Sequence, residues 1–404
     1  MIDLKAHIRL SLGYFLLAAI LGVVLRSFHS VEIPVNYRFI VHAHSHIALL
    51  GWVYMALTTM IYKLYLENEG LEKKYRFIFW FTQATLLGML CTFPFQGYAL
   101  FSIIFSTLFL FASYGFMWIF IRNAPNALKK TNSYKCIKWA LWYMVISSIG
   151  PWALGAIMTT LGAGSIWYRI AIYFYLHFQY NGWMLMALIG LFFWIMEQHK
   201  IGMSNTIFKR FFWSINLGIV LSFFLSILWI KPQVTLYVIS GFGALLQLVA
   251  FGILMVHFIK LKKKREDLFS SFQMRLLQII AVVVSVKIGL QLLTAFPYFA
   301  NLASIILDFT IGYLHWTFLG VISIPLFLFL DYFKLLRISK SALNIYLLGF
   351  LLTEVLIFYK GIVQWQRLSL FDAYFEVLAI ASILIALALL FLLMANLMRK
   401  KSAD

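Results

Sequence analysis

Residues 37–52 read YRFIVHAHSHIALLGW and place three histidines, His42, His44 and His46, within five positions at the mouth of an apolar run. On a helix turning about 100° per residue, His42 and His46 share a face and His44 points the other way. One helix can therefore offer imidazole to two different surroundings. Imidazole suits haem iron, copper and zinc, and ionisable groups inside a membrane usually face the protein interior and mark function. His177 and His315 carry the same chemistry further along the chain. Each of His46, His177 and His315 is followed five residues later by a glycine, Gly51, Gly182 and Gly320, and the histidines are spaced by 131 and 138 residues. Glycine at that position would let a neighbouring helix or a macrocycle approach closely.

The surroundings of these residues are apolar: of 404 residues, 63% are hydrophobic and 12% charged. A soluble fold could not hide so much apolar surface, so lipid must be the solvent. Twelve runs are long enough to cross about 30 Å of hydrocarbon as helices, with rough spans 8–26, 39–62, 77–95, 98–121, 137–160, 171–196, 211–230, 234–259, 273–295, 302–330, 341–359 and 370–398. The histidines fall on the second, sixth and tenth. That recurrence predicts one all-α transmembrane domain of three pseudo-repeated four-helix arcs, 1–135, 136–271 and 272–404. From the run boundaries, His46 and His177 should lie about 10–12 Å deep and His315 about 20 Å.

The formal charge of +19 does not indicate nucleic acid. Lys and Arg number 26 in the termini and the even-numbered loops against six in the opposite loops, with Lys287 inside a span. This is the positive-inside pattern, and it puts both termini in the cytoplasm of a bacterial inner-membrane protein. The run KLKKKRED (260–267) then reads as a cytoplasmic anchor at the lipid surface. The two cysteines, Cys91 and Cys136, form neither a disulfide framework nor a covalent c-type haem motif. His7, His199 and His257 at the cytoplasmic edge and His29 at the outer edge read as solvated or interfacial.

The segment HSHIALLGW resembles the histidine-pair helix of the haem–copper oxidase large subunits, most closely the nitric oxide reductase branch. VHAHSHIALLGW and YLHWTFLGVISIP are also similar to histidine segments of the NnrS family of haem- and copper-containing membrane proteins. The resemblance implies b-type haem, one or two, held by histidines of different helices. Cofactor ligands would come from His42, His44, His46, His177 and His315. It also implies a cytochrome c or quinol electron donor, a small gas ligand, and propionate contacts in the 360–372 connection, which here offers Lys360, Trp365 and Arg367. The seventh span carries no histidine pair, and Asn181 stands where the family has Tyr or Glu, so the usual copper site is absent or rebuilt.

His44 or His46 with His315 would give six-coordinate, electron-transferring haem, whereas a single ligand would leave a position for NO or O₂. Lys287 and Glu354 lie at similar depth and could pair; Asp308, seven residues before His315, could orient a ligand or accept a proton. Glu376 lies nearer the outer surface. The functional expectation is redox or gas-ligand chemistry in a respiratory context, including an oxidoreductase acting on NO or O₂. The alternatives are a transporter of a transition metal or proton-coupled solute with a histidine-lined site, or an assembly factor for a respiratory complex.

Overall fold

A computed structural model describes residues 2–261 and 267–398. Among the described residues there are twelve helices long and apolar enough to cross a membrane and no strand. They are α1 (Leu4–Ser27), α2 (Tyr37–Tyr65), α3 (Glu72–Gln96), α4 (Leu100–Asn123), α5 (Asn132–Thr160), α6 (Ile166–Gln198), α7 (Asn205–Ile230), α8 (Val234–Lys260), α9 (Ser271–Leu293), α10 (Leu307–Tyr332), α11 (Lys340–Trp365) and α12 (Tyr374–Leu397). The all-α membrane architecture follows from composition, because a chain in hydrocarbon must satisfy its backbone within the helix. The basic run 260–267 falls mostly outside the described residues.

The chain forms two compact units. Unit 1 comprises Met1–Pro125 and Leu326–Asp404, and unit 2 comprises Asn126–Pro325. In unit 1, α1 packs on α12 and on α2, α11 on α12, and α3 on α4. In unit 2, α7 packs on α8, α5 on α6, and α9 on α8 and on α10.

Helix starts carry ordinary signals. Asn36, Thr131, Ser165, Ser204, Ser270 and Ser339 each accept a backbone N–H of the first turn they cap. The start of α10 departs from the sequence expectation. The apolar run from 297 onward is split: Pro297 opens a short helix, Pro297–Ile305, and Ile306 turns extended before α10 begins at Leu307. His315 is therefore eight residues from its helix start, beside nine for His46 and eleven for His177.

The three histidine helices share a rarer feature. Directly after each histidine the helix widens to π winding: Ile47–Tyr54 after His46, Phe178–Met184 after His177, and Trp316–Ile322 after His315. Gly51, Gly182 and Gly320 each sit inside one of these segments. π turns are uncommon and concentrate at functional sites. Two of the glycines do a visible job. A Cβ at Gly51 would come within 2.7 Å of Tyr14 on α1, and one at Gly182 within 2.7 Å of Tyr143 on α5. Each of those tyrosines then donates to an amide oxygen on the third helix of its group: Tyr14 to Gln83 at 2.9 Å, and Tyr143 to Asn216 at 2.9 Å. The same three-helix clamp thus occurs once in each unit. In the third histidine helix Trp316 makes the helix contact instead, donating to Val283 O on α9 at 2.8 Å.

Substituting Gly51→Ala or Gly182→Ala should force the facing tyrosine away and cost on the order of 1–3 kcal/mol. Gly13→Ala, where an added Cβ meets nothing within 4 Å, should not lower stability. Thermal unfolding of the purified protein in detergent checks both: equal midpoints for Gly13→Ala and Gly51→Ala would contradict the clamp.

Candidate functional site

In unit 1, α1 presents Ala18, Gly22 and Arg26, four residues apart and so on one stripe, to α2. His44 docks on that stripe. Its Nδ1 donates to Ala18 O at 2.8 Å, and its Cε1 would lie 3.2 Å from a Cβ at Gly22. Only glycine lets the ring lie this close without displacement. One turn further along, Arg26 acts electrostatically on His44 and also on Glu354 of α11. Glu354 is 1% exposed and neither carboxyl oxygen has a hydrogen-bond partner.

His46 faces the other side of α2, as the helical spacing requires. Its Nδ1 donates to His42 O at 2.8 Å, one turn back, while Nε2 and the Tyr98 hydroxyl share a 3.2 Å hydrogen bond. Phe93 covers the ring at 4.4 Å, and Tyr98 lies edge-on to His42 at 4.6 Å. For His44 and His46 alike, a backbone carbonyl holds Nδ1 and sets the tautomer. That is how proteins usually orient an imidazole whose Nε2 binds metal. The three histidines do not converge. Among the described residues no three His, Cys, Asp or Glu side chains gather into a metal-holding group.

In unit 2, His177 is 5% exposed and both its nitrogens are engaged. Nε2 donates to Ile219 O at 2.8 Å, and Nδ1 accepts from Asn181 Nδ2 at 3.3 Å. Local winding explains the first bond. After Ser222, α7 tightens to 3₁₀, so the Phe223 N–H turns to Val220 O. The Ile219 carbonyl, which α winding would pair with that N–H, is left for the imidazole. Both nitrogens of His177 are thus hydrogen-bonded within unit 2.

Asn181 has a second partner. Its Oδ1 accepts from the Lys287 ammonium at 2.5 Å, and Lys287 also donates to Gln291 Oε1 at 2.7 Å and Gln247 Oε1 at 3.3 Å. Gln247 Nε2 in turn donates to Ser222 Oγ at 2.6 Å and Gly218 O at 3.3 Å. The bonds close a circuit from α7 through α8, α9 and α6 back to α7. Within unit 2 the amides of Asn181, Gln247 and Gln291 take the three donors of Lys287, which the sequence set beside Glu354 by depth alone.

The remaining expectations fare differently. Asp308 is a buried acid in the first turn of α10, where the helix N-terminus favours negative charge. His315 is half-buried one residue before its π segment. Arg367 is exposed at the end of α11 in a left-handed conformation, φ 56°. Lys360 lies over the Phe375 ring at 5.8 Å, and His29 stacks on the same ring at 4.2 Å. Glu376 is in the first turn of α12. His7, expected at the interface, is buried: it stacks on Phe79 at 3.4 Å and hydrogen-bonds Tyr75 at 3.3 Å, because α3 packs over it.

Sequence reasoning missed Gln247, Gln291 and Arg26. The signals were there: lone amides within apolar spans, and an arginine in register with Ala18 and Gly22. No protein-family model matches the chain, and no curated protein matches it.

Replacing Asn181 by Leu should leave a Lys287 donor unsatisfied and His177 Nδ1 with only the longer 3.5 Å bond to Ser226 Oγ, costing roughly 1–3 kcal/mol. Asn181→Asp retains an acceptor for the lysine and should cost less. Unfolding midpoints of the two variants measure this; a Leu variant as stable as wild type would refute the circuit.

Proposed function

We propose that the chain is a b-type haem protein of a bacterial cytoplasmic membrane, with His44 Nε2 as an axial ligand in unit 1 and redox or gas-ligand chemistry as its activity. The observation that carries this reading is the seating of His44. A backbone carbonyl fixes Nδ1, glycine gives the ring room, and the histidine helix widens to π winding within one turn. An oriented imidazole for the iron, and Arg26 on the same stripe as a cation for a propionate, support the haem reading. Bound haem would supply reversible one-electron chemistry and, with an open axial position, a site for NO or O₂. The chain's own residues orient the His44 imidazole through Ala18 O, and on the other face of α2 hold His46 against Tyr98 as a polar pair covered by Phe93.

His315, which also precedes a π segment, is the second candidate ligand; His177 is not one. The charge asymmetry of the sequence supports cytoplasmic termini, and the electron donor would be a cytochrome c or a quinol. The absence of a histidine pair on α7 argues against the copper site of the resembling oxidases.

Membranes from a haem-replete expression strain should give reduced-minus-oxidised Soret and α bands that disappear in His44→Ala and persist in His177→Ala. A colourless purified wild-type protein would overturn the proposal. Carbon monoxide added to the reduced protein should shift the Soret band if one axial position is open; an unshifted band would restrict the function to electron transfer.

A further inference from the structure

Lys287 is 2% exposed within α9, and its hydrogen bonds go to three side-chain oxygens on three helices, Asn181 of α6, Gln247 of α8 and Gln291 of α9 itself. A neutral amine has two N–H donors and a lone pair; an ammonium has three donors and no acceptor. The orientation of the amides is not arbitrary. Asn181 spends its N–H on His177, and Gln247 spends its own on Ser222 and Gly218. What both have left for Lys287 is a carbonyl oxygen. Three acceptors therefore converge on one nitrogen. Among the described residues no acidic side chain pairs with it.

Buried ammonium groups ordinarily sit against a carboxylate. Here the charge is met by amide dipoles alone, the kind of oxygen shell that proteins use for hard cations. We propose that the Asn181–Gln247–Gln291 oxygens form a binding site for a small primary ammonium ion, occupied in the intact chain by the tethered Lys287 Nζ. The tether closes the site to free cations and ties α6, α8 and α9 to one nitrogen. Removing the tether while keeping the oxygens opens a site for ammonium or methylammonium. This inference is independent of the haem reading, since it concerns unit 2 and needs no cofactor.

Chemical rescue tests it. Lys287→Ala in the full-length protein should lower the unfolding midpoint, and methylammonium chloride should restore at least half of the loss. Tetramethylammonium chloride at equal ionic strength, which has charge but no N–H donor, should restore little. No loss in the variant, no recovery with methylammonium, or equal recovery with both salts would each overturn the proposal. Should Lys287→Ala fail to fold, Gln291→Glu and Gln291→Leu in the otherwise intact chain decide the matter. A resident ammonium makes the Glu variant the more stable of the two at neutral pH; a Glu variant no better than Leu would overturn the proposal.

Discussion

Hydrocarbon offers no hydrogen bonds, and that single constraint organises the polar interior of this protein. At several places where a helix leaves regular winding, a side chain supplies the missing partner. The 3₁₀ turn of α7 releases the Ile219 carbonyl and His177 takes it. Ser11 on α1 takes the carbonyl of Trp52 inside the first π segment at 2.9 Å. Gln179 donates to Ser147 at 2.8 Å just before α5 breaks at Ser148, three residues ahead of Pro151. Proline cannot donate back to residue 147, so the break has a local cause. Irregular winding in these helices goes together with the side chains that satisfy it.

The same H-x4-G pattern is put to two uses. In α2 the carbonyl that orients each imidazole engages Nδ1, so Nε2 is the nitrogen turned away from the anchor. In α6 the anchor engages Nε2 and an amide takes Nδ1, which makes the ring a structural connector. The difference comes from a few neighbours. Asn181 lies one turn after His177 on its own face, whereas Leu50 occupies the equivalent place after His46. A motif of one histidine and one glycine accompanies the π segment in all three helices and the close tyrosine contact in two. It does not specify what the imidazole does.

Much of this was legible in the residues. The twelve spans follow from apolar length, and the opposed faces of His44 and His46 follow from helical rotation. The start of α10 was not legible, because Ile306 turns extended inside an apolar run that hydropathy reads as continuous. Azimuth was not. Depth alone suggested Glu354 as a partner for Lys287, but the hydrogen bonds of Lys287 go to amides of α6, α8 and α9, neighbours that no local pattern names. His7 shows the same limit: the charges around it suggest water, while Tyr75 and Phe79 from α3 bury it. Arg26 gains meaning only from its register with Ala18 and Gly22, once His44 of another helix docks on that stripe.

The π segments carry one further consequence. Each winds wider than the α-helix around it, as though a single residue had been slipped into the turn. Excising that residue would return the turn to regular winding and rotate the remainder of the rod by about 100°. In α2 the remainder is Met55–Tyr65, buried over most of its circumference. Its inward rows would be dialled toward the wrong neighbours while the histidine end stayed in place. A one-residue bookmark in the helix thus keeps two halves of a long rod in phase with different surroundings.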